Sequence, residues 1–367
     1  MSDRTTLPLL APHDDALQKC VYCPKLSRAA CPVSNVEANE TVTPWGKMSM
    51  AFHVARGDAP MSEDFAETAW ACSGCFACRE RCDHKNEVAA VLFDARAEYY
   101  RGGVAPEAAS RVASSFDEHA TRVAAAVDAI DPEHKQAARV VLLLGCSYAR
   151  HHPAEAKAIW RIAQHVVDGE VRAARRCCGL PLLHAGDRDG MRRAAQHLAE
   201  EVADADLVIA ADPGCARALM VDYEGRAEGP SDVVPLVDLV YAHLDRLPAM
   251  ALERPALRYH DPCQLGRGLG RYDEPRAILA RITGRVPDEF QRRRAAGECS
   301  GGGGLLPQTR PQTSAEMADE RLAEHDALGG GAVVTACGES LRRFRSRGHD
   351  AVDLWSLVAE ALEASAP

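Results

Sequence analysis

Four cysteines within eleven residues, Cys72, Cys75, Cys78 and Cys82, carry the most specific chemistry in the chain. Their spacing, C-x2-C-x2-C-x3-C, suits iron–sulfur ligation, although Asp83 stands where a proline usually follows. Three thiolates two residues apart on a tight loop reach three corners of one cubane, and the fourth leaves toward a second cluster. Zinc is the alternative occupant of such a knuckle. An upstream group, Cys20, Cys23 and Cys31-Pro32, supplies the counterpart. Crossed ligation assigns Cys31 to the Cys72, Cys75 and Cys78 set, and Cys82 to Cys20 and Cys23. The second set then counts three thiols. Its fourth position falls to Ser27, to an outside ligand, or to nothing in a three-iron cluster. The plainer role for Ser27 is to cap the helix beginning beside it. Two [4Fe–4S] clusters are therefore expected here, one of them serine-ligated or three-iron.

Composition narrows the context. The 367 residues hold 14 cysteines, carry a formal charge of −10 and are 47% hydrophobic. A chain this acidic lacks the basic face of a nucleic-acid binder. Met1 to Leu10 contains no apolar signal segment, and Val140–Leu144 is far too short to cross a bilayer. The expected location is cytoplasmic, peripheral to the inner face of the membrane through a partner. Cysteines at short spacing in a reducing compartment read as metal ligands, not disulfides.

The elements that position the remaining cysteines repeat. A β-rich run from Val140 ends at Cys146, a helical stretch leads to Cys177-Cys178-Gly179-Leu180-Pro181, and a buried strand at Leu207 to Ala210 precedes Cys215. The second copy has a strand near Leu257 to His260 before Cys263, then Glu298-Cys299-Ser300, then Ala332 to Thr335 before Cys337. Both copies close on Val-Asp-Leu, at Val237 and Val352. Strands alternating with helices predict parallel sheets whose strand ends carry the ligands. The expected fold is α/β, preceded by an α-helical two-cluster module. Expected boundaries are 1–102 for that module, 103–138 for a helical connector, 139–250 for the first copy and 251–367 for the second.

Cys177-Cys178-Gly179-Leu180-Pro181 and His260-Asp261-Pro262-Cys263-Gln264-Leu265-Gly266-Arg267, set behind the two-cluster run, resemble the cysteine-rich "CCG" domain family. That family includes the catalytic subunit of heterodisulfide reductase and the iron–sulfur subunits of glycolate, lactate and glycerol-3-phosphate oxidation systems. The resemblance covers nearly the whole chain and implies electron transfer between a flavoprotein and a quinone, thiol or carrier. The implied partners are a flavoprotein dehydrogenase or electron-transfer flavoprotein and a membrane-bound quinone-reactive subunit. It also implies that Cys146, Cys177, Cys178 and Cys215 bind a cluster or zinc. In the second copy Cys263, Cys299 and Cys337, with a fourth ligand from Glu298, water or a substrate, either hold a cluster whose open iron corner is the catalytic centre or hold nothing. Glu298 replaces the first cysteine of the motif, and Cys215 and Cys337 each lack a companion cysteine, so disulfide cleavage is not expected. No G-x-G-x-x-G run marks a flavin site. Electron relay is the leading function. Reduction of a disulfide or quinone at the second copy is the alternative, followed by a metal-stapled adaptor. Gly301 to Gly304 suit either close backbone approach to a ligand or a flexible turn. Arg267 either steadies negative charge or pairs on the surface.

Overall fold

The computed structural model describes residues 5–135 and 137–365, so the outermost ends of the first and last expected domains lie outside the described residues. The chain divides into two compact units. Unit 2 comprises 117–180, 192–294 and 322–367. It holds two four-stranded parallel sheets built from β1 (Val140–Leu143), β2 (Val171–Ala173), β3 (Leu207–Ala210), β4 (Val233–Pro235), β5 (Leu257–Tyr259), β6 (Asp288–Glu289), β7 (Ala332–Thr335) and β8 (Ala351–Asp353). The orders are β2-β1-β3-β4 and β6-β5-β7-β8, the same topology twice. The central strands read as short apolar runs because helices cover both faces of a parallel sheet. The two sheets share one core that includes Leu142, Ile159, Ile209, Val240, Tyr259, Ile278, Val334 and Trp355. The Pro153–Val166 helix packs on Leu354–Ala364, and Leu236–Ala242 packs on Glu274–Thr283.

Strand register fixes which cysteines correspond. Val140 pairs with Leu207 in the first sheet, and Leu257 pairs with Ala332 in the second. Counted from these residues, Cys146 and Cys263 occupy equivalent positions. Cys337 corresponds to Asp212, and Cys215 corresponds to Ser340. This corrects the expected equivalence of Cys215 and Cys337, which order along the chain alone suggested.

Unit 1 runs to Phe116 and includes residues 181–191 and 295–321. The expected 103–138 connector is divided accordingly. Its Glu107–Ser114 helix belongs to unit 1, and nearly all of Phe116–Asp128 belongs to unit 2. Helices Asp14–Val21, Pro44–Arg56, Glu63–Trp70 and Val88–Arg101 enclose a core of Leu17, Met48, Trp70, Leu92 and Tyr99. The Pro44–Arg56 helix begins at Pro44, with Thr43 accepting from Gly46 N, and stops at Gly57, whose φ is 75°. Ala185 and Leu305, supplied by the two later segments, complete this core. The Arg96 guanidinium ties them in. It is fully buried and donates to the carbonyls of Ala69, Cys72, His184 and Gly304.

Candidate iron–sulfur and metal centres

No disulfide links any of the cysteines among the described residues. In unit 1 the seven thiols before residue 102 fall into two groups. Cys31, Cys72, Cys75 and Cys78 interact electrostatically as one set. The loop that converges them turns through Gly74 (φ 67°) and Phe76 (φ 60°), the second an uncommon conformation for a side-chain-bearing residue. Gly74 N donates to Cys72 Sγ at 3.4 Å. Burial, reinforced by the neighbouring thiolates, pushes Cys78 far above the ordinary thiol range. Burial also raises Cys72, against the opposing pull of Lys47 and Arg96. Cys20, Cys23 and Cys82 form the other set. Burial lifts Cys20 to about 11, opposed by Asn86, whose Nδ2 donates to its sulfur at 3.4 Å. Ser27 precedes the Arg28–Ala30 turn, and its hydroxyl makes no capping bond.

One side chain tests whether an anionic cluster fits the first set. Lys47 is 2% exposed, and among the described residues its Nζ has a single hydrogen-bond acceptor, Cys31 Sγ at 3.3 Å. Burial works to neutralise the amine, but Cys31, Cys72 and Cys78 outweigh it and hold the pKa above the ordinary lysine value. A buried ammonium is tolerated only against compensating negative charge. A thiolate-ligated cluster supplies that charge at this point, so the residues fit the group.

The glycine run of the second copy lies in unit 1 and serves this loop. A Cβ on Gly304 would meet Cys72 O at 2.3 Å, and one on Gly303 would meet Ser73 O at 2.5 Å. Cys299 Sγ lies 3.7 Å from Ser73 Oγ. The run is thus a close backbone approach to the Cys72 loop. Glu298 and Cys299 belong to unit 1, whereas Cys263 and Cys337 belong to unit 2.

Unit 2 gathers the first-copy thiols. Cys146, Cys177, Cys178 and Cys215 line one cleft whose walls include Val123, Val127 and Leu143. Cys178 and Cys215 sulfurs are 3.4 Å apart. Sequence reasoning missed His119, which lies in the expected connector. Its ligand nitrogen and the sulfurs of Cys146 and Cys177 lie within 4.8 Å of one another. A hydrogen bond with Cys177, assisted by His119, brings Cys146 down to about 6 despite burial.

Asp212 was also missed, because only the register reveals that it takes the place Cys337 holds in the second copy. Its Oδ1 accepts from Gly214 N at 2.8 Å, and its buried Oδ2 has no hydrogen-bond partner among the described residues. Burial, then the Cys146 thiolate, raises it to about 7. Gly145 (φ 89°) makes room for it, since a Cβ there would lie 2.5 Å from Asp212 Cβ. Burial and then Asp212 raise Cys337, whose hydrogen bond to Ser340 replaces the pairing that a second thiol would provide. Ser147 Oγ donates to Glu339 at 2.9 Å, so the helices that begin beside Cys146 and Cys337 adjoin. Arg267 is 5% exposed, which excludes the surface ion pair. His260 is buried edge-on against Phe344.

Two family models match the chain. A 4Fe-4S dicluster domain covers residues 16–86, and a cysteine-rich domain matches twice, at 140–220 and 257–340. A component of the dihydromethanophenazine:CoB–CoM heterodisulfide reductase of Methanosarcina barkeri is 31% identical over 51% of this chain and 49% of its own length. A component of the fumarate reductase (CoM/CoB) of Methanothermobacter marburgensis is 27% identical over 54% and 40%. Lactate utilization protein A of Shouchella clausii is 27% identical over 44% and 71%. The chain spans about half the length of the heterodisulfide reductase relative that it matches.

Proposed function

Because the chain belongs to the iron–sulfur proteins that join a 4Fe–4S dicluster module to paired cysteine-rich domains, we propose that it relays electrons within a multisubunit oxidoreductase. The observation that carries this reading is the pair of interleaved thiol sets in unit 1, with Lys47 buried against one of them. Bound clusters would supply one-electron redox chemistry. Cys31, Cys72, Cys75 and Cys78 hold one cluster, with Lys47 offsetting its charge and Arg96 fixing the Cys72 loop through its carbonyl. Cys20, Cys23 and Cys82 hold the other, with Ser27 or an outside donor at the fourth position. Cys146, Cys177, Cys178 and Cys215, with the Asp212 carboxylate, form the donor set of the first cysteine-rich copy.

Two relatives bear names of reductase components, which supports a complex as the working unit. The donor in this reading is a flavoprotein dehydrogenase or electron-transfer flavoprotein, and the acceptor is a quinone, thiol or carrier. Among the described residues no helix is long and apolar enough to cross a membrane. A quinone acceptor would therefore be reached through a membrane-bound partner that keeps this chain at the inner face.

Anaerobic iron and sulfide analysis with EPR tests the relay. A loaded N-terminal module should carry about eight irons, and a further cluster in unit 2 would raise this to about twelve. Cys75→Ala should remove about four irons and stop reduction of the downstream acceptor. Full electron transfer in that variant, with its cluster shown to be absent, would refute the relay.

A further inference from the structure

His119 reaches the first-copy thiols from the Phe116–Asp128 helix. Such a ring can serve as a metal ligand or as a hydrogen-bond donor to a ligating thiolate, and its other neighbour decides between them. Arg150 Nη1 lies 2.8 Å from His119 Nδ1. A guanidinium only donates, so Nδ1 accepts, and the neutral ring carries its proton on Nε2. A metal-bound histidine normally gives its second N–H to an acceptor, and Arg150 offers none. Ligation through Nε2 in this arrangement would require an imidazolate. Donation through Nε2–H requires no change of charge, only a closing of the ring onto the Cys146 sulfur, which lies within 4.8 Å of a ring nitrogen. Arg150 and Cys146 stand four residues apart on the Cys146–His151 helix, so they share one face and His119 closes the triangle between them.

We propose that His119, held in its Nε2–H form by Arg150, donates a hydrogen bond to the Cys146 sulfur and thereby tunes the centre held by the first cysteine-rich copy. His119 is a positioning residue in this scheme. It draws negative charge away from the sulfur without occupying a coordination site. The proposal rests on the reading that Cys146 is a ligand of that centre.

The test uses the whole chain purified anaerobically as wild type, His119→Ala, His119→Gln and Arg150→Met. Total metal is determined for each, and alkylation of Cys146 by iodoacetamide is followed by peptide mass spectrometry. With metal bound, His119→Ala should keep the wild-type metal content while Cys146 alkylates about tenfold faster, the scale of one charge-assisted hydrogen bond. His119→Gln, whose amide N–H reaches a similar point, should restore the slow rate. Arg150→Met should lie between, because the ring is then released to its other tautomer. Should the wild type carry no metal beyond the N-terminal clusters, ligation by Cys146 fails as a reading. The donor then shows itself with the opposite sign, as slower alkylation at pH 7 in His119→Ala. Stoichiometric metal loss in both His119 variants would make the ring a ligand and overturn the proposal. Equal alkylation rates across all four proteins would overturn it as well.

Discussion

Replacing Lys47 by Met removes one buried positive charge beside a single cluster and leaves a side chain of similar length. The ammonium lies 3.3 Å from Cys31 Sγ. A unit charge at that distance is worth about 5 kcal/mol at an effective dielectric of about 20. An added electron is shared over the thiolates and the inorganic core, so about a quarter to a half of it counts there, giving ~1.3–2.5 kcal/mol. At about 59 mV per tenfold for a one-electron couple, the reduction potential should fall by ~55–110 mV. EPR-monitored titration with dithionite reads this directly. The cluster of Cys20, Cys23 and Cys82 serves as an internal control and should move far less. Lys47→Arg keeps the charge and should stay near the wild-type potential. A shift of less than about 20 mV in Lys47→Met, with the iron content intact, would show that the lysine does not face cluster charge and would refute the reasoning.

Two further changes probe separate links. Gly304→Ala places a Cβ 2.3 Å from Cys72 O at a residue whose φ is 65°, so it should displace the Cys72 loop and cost about four irons per chain; full iron content would show that the loop yields without loss. Asp353 is fully buried, accepts from Tyr148 at 2.7 Å and has its pKa raised by burial to about 7. A carboxyl raised in the folded state favours folding at low pH and loses that contribution as pH rises between the unfolded and folded values. Thermal stability should therefore decline from about pH 4 to 7, and Asp353→Asn should flatten that part of the melting profile.

The chemistry carried by short spacing was legible in the sequence. Cys72 and Cys75 lie on one loop and Cys78 on the short Ala77–Glu80 helix that follows it, and the repeated strand–cysteine order around Cys146 and Cys263 is matched by sheets of identical topology. Alternation of strands and helices identified the α/β class, because covered parallel strands such as Leu207–Ala210 have no polar face. What depends on tertiary approach was hidden. His119 looked like part of a connector, since nothing in a helical sequence says which distant thiol it meets. Nothing in the sequence marks Lys47, whose ammonium meets the Cys31 sulfur only through tertiary packing. Asp212 required hydrogen-bond register, which sequence order cannot supply when one copy has Asp and the other Cys. The Gly301 to Gly304 run announced close approach, but not that its neighbour is the backbone of the Cys72 loop.

The contributions of residues 181–191 and 295–321 to unit 1 bear on how the protein is made. As the chain leaves the ribosome, the thiols of the N-terminal module emerge early, but Ala185 and the His184 carbonyl that receives Arg96 arrive only after half of the polypeptide exists, and Leu305 and the Gly304 carbonyl only after most of it. Until then the Arg96 guanidinium has no complete shell and the Cys72 loop lacks its glycine floor. A complete setting for the Cys72 loop is consequently expected only once residues 295–321 have been made. A fragment ending near residue 102 should be a poor acceptor of iron and sulfide, even though it contains every cysteine of both sets.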